Sequence, residues 1–250
     1  MKKILLICIA FNIFILNGCL SENNHEGHNH EGHNHGQDKE IAKVYGSDNE
    51  YLTQIALMRG HLYVGIELYK NGYLDNAKRH MKHPKSELYS DIIPTFKSKK
   101  SAGFAVELAD LASAVEGEKD FAFISSRYQN LADAMATNEN YIDESTKLLS
   151  KRMILVSSLL TVAADEYAIG IVNGNIENKF EYQDALGFTI VAKSILTGTV
   201  TYSEEEEIKK NKVLKIIENL SNLWPSLVPT GIIDGDAKII YDAVAEINSI

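Results

Sequence analysis

From Asp48 onward, apolar and polar positions follow the three- and four-residue spacings of amphipathic helices, and no strand period interrupts them. Ile55, Met58, Leu62, Gly65 and Leu68 form the first stripe, with Val44 ahead of it, and Lys70-Asn71-Gly72 supplies a C-terminal stop. A return arm over 74–83 follows, which Pro84 ends or kinks. A linker at 92–100 containing Pro94 then precedes helices over 101–116 and 119–136. Phe104, Leu108, Leu111 and Val115 are the core stripe of the former; Phe121, Ile124, Tyr128, Leu131 and Met135 are that of the latter. The helix expected over 141–172 is the central element: residues 153–164 are largely apolar, but its ends are too polar for a membrane span. A glycine-punctuated turn at 170–175 leads to a helix over 181–196. Ser203 and Glu206 form a capping-box pattern that starts a helix to Leu223. Trp224-Pro225 and Pro229 break the chain, 231–236 is a loop, and a last helix covers 237–247. About eight helices with short connections predict an all-α helical bundle that begins with an antiparallel helical hairpin. It forms one domain over 46–250.

The N-terminal part follows no such pattern. Lys2 and Lys3 precede an apolar run over 4–16 that is too short to span a bilayer as a mature helix, which is the form of a secretory signal. The run ends in Leu16-Asn17-Gly18-Cys19, which resembles the lipobox of bacterial lipoproteins. That resemblance implies a signal peptide over 1–18, a lipid on Cys19 that attaches the protein to a membrane, and a location on its periplasmic side. Leu20 stands where an aspartate would imply inner-membrane retention, which favours the outer membrane. Cys8 then leaves with the signal and Cys19 carries lipid, so no disulfide forms within the chain and stability comes from packing.

Residues 19–45 are expected to form a disordered tether. It contains His25, His28, His30, His33 and His35 in the repeat Asn24-His25-Glu26-Gly27-His28, Asn29-His30-Glu31-Gly32-His33, Asn34-His35-Gly36. The segment is too polar and glycine-rich to bury a core. Its imidazoles suit zinc, copper, nickel or iron. The alternative is a hydrophilic spacer that happens to be rich in histidine.

Composition narrows the function. The chain has 250 residues, 45% of them hydrophobic, enough for a sizeable core. Its formal charge of -9 becomes -11 on loss of Lys2 and Lys3, which suits cations and excludes a nucleic-acid partner, since phosphates need a basic surface. GxSxG, HExxH and phosphate-loop patterns do not occur, and no cysteine nucleophile remains after export, so the chain is not expected to be an enzyme.

The three histidines outside the tether, His61, His80 and His83, all lie in the hairpin. His61 is eleven residues before Gly72 and His83 eleven after, so at about 1.5 Å per residue they sit at similar heights on the two arms. His80, His83 and Glu87 share a face if the helix continues through Pro84; otherwise His83 sits at a helix end. Two or three imidazoles with a carboxylate are ligands for zinc or iron. Against this stands a purely structural hairpin, in which Gly65 and Ala77 mark the crossing and His61 is a satisfied core side chain. A second candidate group is acidic: Asp165 and Glu166 near the end of the central helix, Glu181 and Asp184 at the start of the next. Acidic residues in a first turn are also what the helix dipole favours.

Ala164-Asp165-Glu166-Tyr167, Asn173-Gly174-Asn175-Ile176, Glu181-Tyr182-Gln183-Asp184-Ala185 and Phe188 together resemble helical extracytoplasmic domains associated with bacterial high-affinity iron permeases. The hairpin, with His61, Glu67, Leu68, Tyr69, Gly72, Ala77, His80, His83, Pro84 and Glu87, is similar to segments of the same group and of imelysin-like metal-uptake lipoproteins. The resemblance implies an accessory periplasmic role in acquisition or homeostasis of a transition metal (iron, zinc or copper), with a metal permease or another envelope protein as partner. The chain lacks permease membrane helices and a glutamate-rich transport motif, so it is not itself the transporter. It also departs from the imelysin pattern GxHxxE, because Glu87 stands four residues after His83. The alternative reading is a non-metal protein–protein interaction module on a cell-envelope lipoprotein.

Overall fold

The computed structural model describes residues 46–250, and the helix starts follow their capping chemistry. The Ser47 hydroxyl accepts from the Glu50 N–H while the Glu50 carboxylate accepts from the Ser47 N–H, a capping box that opens α1 (Asp48–Lys70). Gly72, with φ of 82°, reverses the chain into α2 (Leu74–His83).

Pro84 does not end the arm. The chain continues through one π-helical turn, Pro84–Leu88, directly into α3 (Tyr89–Lys99). Widening the turn lets the Tyr89 N–H bond to the Pro84 carbonyl and absorbs the N–H that proline lacks. The linker expected over 92–100 is likewise helical, with Pro94 inside α3. An interior proline costs about 3 kcal/mol. Ile92 and Phe96 are both buried, at about 1.5–3 kcal/mol each, and offset it.

Next come α4 (Ala105–Glu116) and α5 (Phe121–Glu139), the latter capped by Asp120 accepting from the Phe123 N–H. The long central helix is shorter than its periodicity suggests. Asp143 caps a 3-10 turn, Glu144–Lys147, and Asp48 of α1 accepts from the Asp143 N–H and the Thr146 hydroxyl, so α6 covers only Leu149–Gly170. Beyond it, Ile171–Val172 pairs antiparallel with Asn175–Ile176 around Asn173-Gly174. Both turn residues have positive φ, 51° and 79°, as a two-residue hairpin with matching twist demands. α7 (Lys179–Thr197), α8 (Glu204–Asn219) and α9 (Ala237–Asn248) complete the bundle. The Ser203 hydroxyl caps α8 through the Glu206 N–H, and Asp236 caps α9 through the Lys238 N–H.

The all-α class holds, with nine α-helices among the described residues. Two apolar clusters make the interior. One joins α1 to α5 through Tyr51, Ile55, Met58, Phe96, Phe104 and Leu111; the other joins α6 to α9 through Leu160, Ala163, Tyr167, Phe188 and Ile240. Ala56 and Leu57 of α1 belong to the second cluster, so α1 packs against both. Among the described residues only α6 is long and apolar enough to cross a membrane, and 56% of its apolar window is buried in the bundle. The signal sequence, Cys19 and the five tether histidines lie outside the described residues.

Candidate metal centre

The site arises where α1 crosses α7, and small residues make the crossing close. A Cβ on Gly187 would collide with the Gly60 carbonyl, and one on Gly60 with the Phe188 ring. With both Cβ atoms absent, His61 of α1 and Asp184 of α7 reach one another. On the other side of α1, Gly65 faces Met81 of α2, which brings His80 inward. His61, His80 and Asp184 are 5%, 2% and 4% exposed. They lie at the crossing of three helices drawn from both halves of the chain.

One carboxylate oxygen is the focus. His61 Nδ1 lies 2.5 Å from Asp184 Oδ1, and His80 Nδ1 lies 3.0 Å from the same atom. His80 Nε2 is 2.9 Å from Gln183 Oε1, and the Gln183 amide donates to the Leu227 carbonyl at 2.9 Å. The segment carrying Leu227 is tied to α7 twice more: the Trp224 indole donates to the Tyr182 carbonyl, and the Tyr182 hydroxyl donates to the Ser226 carbonyl. Phe188 meets His61 edge-on at 5.1 Å.

Burial alone would raise the Asp184 pKa, but the charges of His61 and His80 and their hydrogen bonds hold it well below the usual carboxylate range. For His80 burial works to lower the value, and the Asp184 charge with the Asp184 and Gln183 hydrogen bonds outweighs it, so the net shift is upward. An ionised carboxylate is acceptor-only, so both Nδ1 atoms carry protons towards it. The Gln183 oxygen is an acceptor too, so His80 is protonated at both nitrogens. The triad is a buried carboxylate bridged by protons to two imidazoles.

The other candidates are placed differently. His83, half-buried, stacks on the His61 ring at 4.5 Å between centroids but is outside the converging triad. The side chain of Glu87 lies outside the described residues. Asp165 is exposed and accepts from the Tyr241 hydroxyl. Glu166 is buried; desolvation first, then its hydrogen bond to Glu181 and the Glu181 charge, push its carboxyl up to about 10. It is therefore protonated and donates to Glu181, which also accepts from Asn178 at 3.2 Å. Of the acidic group, Asp184 alone joins the histidines.

Two imidazole nitrogens and a carboxylate oxygen, all within 4.8 Å of one another, form a donor set that suits zinc, iron or copper. An ion there would take the place of the Nδ1 protons. Convergence on a single buried oxygen supports that fit, since bonds of about 2.0–2.2 Å need only a small opening of the present contacts.

Residues 142–250 match the model of a family described as the iron permease-associated 4-helix bundle domain. The match spans α6 to α9 and bears out the iron-permease part of the resemblance seen in the sequence. Asp184 and Gln183 lie inside it, His61 and His80 outside. No curated protein and no solved structure matches the chain.

Proposed function

We propose that the protein is a transition-metal-binding accessory of metal uptake, working on the extracytoplasmic side of a membrane beside an iron permease. Its buried site is His61, His80 and Asp184, with His83 on the flank of His61. The observation that carries this reading is the convergence of His61 and His80 on Asp184, a residue inside the region that matches an iron permease-associated domain. Iron is the cargo the family match favours; the donor set also suits zinc or copper. In this reading the protein binds and passes on its ion and is not an enzyme. A lipid on Cys19 holds it at the membrane, and His25, His28, His30, His33 and His35 collect ions near the surface.

Once deprotonated at Nδ1, the buried site offers a passing ion two neutral nitrogens and one negative oxygen. As the ion enters, His80 releases its Nδ1 proton and keeps the one on Nε2, and His61 moves its proton from Nδ1 to Nε2, so uptake and release are coupled to proton exchange. Calorimetric titration of iron(II), zinc and copper(II) tests this in the full chain with all five tether histidines changed to Asn. One equivalent should remain in that background and disappear in Asp184→Ala or His61→Ala. Binding of no ion by that background, at micromolar concentration, would overturn the reading.

A further inference from the structure

We propose that Gln183 is a positioning residue that dictates which nitrogen of His80 meets the metal, and that the 224–228 segment fixes Gln183 for that task. The inference rests on the metal-binding reading above.

The Gln183 side chain is fully buried, and each end of its amide has one partner. The amide nitrogen donates to the Leu227 carbonyl at 2.9 Å, and the oxygen faces His80 Nε2 at 2.9 Å. Rotating the amide by half a turn would set its oxygen against the Leu227 carbonyl, two acceptors facing each other in a dry interior. The Leu227 carbonyl thus holds the Gln183 oxygen towards His80. Leu227 is itself held, because Trp224 and Ser226 on either side of Pro225 bond to Tyr182, the neighbour of Gln183.

This arrangement has one consequence for a neutral His80. Its single proton must sit on Nε2, where Gln183 accepts it; a lone pair there would face the Gln183 oxygen. The lone pair is left on Nδ1, the atom 3.0 Å from Asp184 Oδ1 and directed at the same point as His61 Nδ1. A ligating imidazole whose other nitrogen donates to an outer partner is fixed in tautomer and made more basic. Here a carboxamide, oriented by a backbone carbonyl, is that partner. Sequence position alone conceals this, because Gln183 is the uncharged neighbour of the acidic residue.

The test uses the full chain with its tether histidines changed to Asn, loaded with zinc and labelled with nitrogen-15. Long-range proton–nitrogen spectra should show His80 protonated at Nε2 and zinc-bound at Nδ1. Gln183→Met removes the acceptor and should weaken zinc binding about ten- to hundredfold. Gln183→Glu, with its second oxygen protonated so that it donates to the Leu227 carbonyl as the amide nitrogen does, keeps an acceptor towards His80 and should stay within about tenfold of the parent. Zinc on Nε2, equal losses in both variants, or Gln183→Met binding as tightly as the parent would overturn the proposal while leaving the metal site standing. No zinc on the parent bundle would overturn both. Should Gln183→Met not fold, the nitrogen assignment in the parent decides.

Discussion

Asp184→Asn isolates the electrostatics of the triad, because it preserves shape and removes one charge from a position only 4% exposed. In the wild type that charge faces a doubly protonated His80 and the Nδ1 proton of His61. Removing one partner of a buried pair costs about 3–5 kcal/mol, since the remaining charge is left without compensation. For a domain of this size each kcal/mol shifts Tm by about 2–4 °C, so a loss on the order of 10 °C is expected. The pH dependence gives the stricter check. His80 is raised above its ordinary 6.5, so its contribution is complete below that value and is lost as pH rises through the raised one. Asp184 is depressed below 3.8, so its contribution is present above that value and is lost only as pH falls through the depressed one. The penalty of Asp184→Asn is therefore greatest between about pH 4 and 6.5 and shrinks in alkaline solution. Thermal unfolding followed by circular dichroism at pH 6 and pH 9 measures both. A variant melting within about 2 °C of the parent at pH 6, or a penalty that grows with pH, refutes the reasoning.

Glu166→Gln should stabilise the protein at pH 8. The raised carboxyl, about 10 against 4.5, contributes fully only below 4.5, and stability falls by up to about 1.4 kcal/mol per pH unit above it. Gln keeps a donor for Glu181 without that slope, so stabilities from denaturant unfolding should differ clearly at pH 8, by up to about 5 kcal/mol, and converge near pH 4.5. Gly187→Ala forces a Cβ into the Gly60 backbone and should cost about 1–3 kcal/mol with a loss of metal affinity; Gly65→Ala meets the Met81 side chain and no backbone, and should cost less by the same melt. His83→Ala removes the ring stacked on His61 but none of the converging donors. Its zinc affinity should fall less than that of His80→Ala in the same titration.

Helix positions were legible because each element buries one stripe, and the caps at Ser203 and Asp236 lie where their side chains announce them. Proline misled at one place: Pro94 is a helix breaker by local chemistry, and burial of Ile92, Thr95 and Phe96 keeps that stretch helical. Pro84, expected to end or kink the arm, does end α2 and opens the π-helical turn. The two-residue strands at 171–172 and 175–176 are too short to carry a period, although Asn173-Gly174 is a hairpin signal. At the site, the sequence grouped His61 and His80 with their hairpin neighbours and Asp184 with Glu181. The pairing across 123 residues has no local signature. The clue lay in Asn178: as N-cap it starts α7 at Lys179 and not at the expected 181, so Asp184 stands beyond the first turn, where the helix dipole does not account for a carboxylate. Gln183 has no role that its sequence neighbours reveal, because that role depends on Leu227, far along the chain.

The central claim is that an ion replaces the protons between two imidazoles and one carboxylate. Anomalous scattering at the zinc edge, from crystals of the zinc-loaded chain, tests it most directly. The account predicts a single peak inside the bundle, within about 2.2 Å of His61 Nδ1, His80 Nδ1 and an Asp184 carboxylate oxygen. A zinc-loaded crystal with no peak there, and with His61 and His80 still hydrogen-bonded to Asp184, would contradict it.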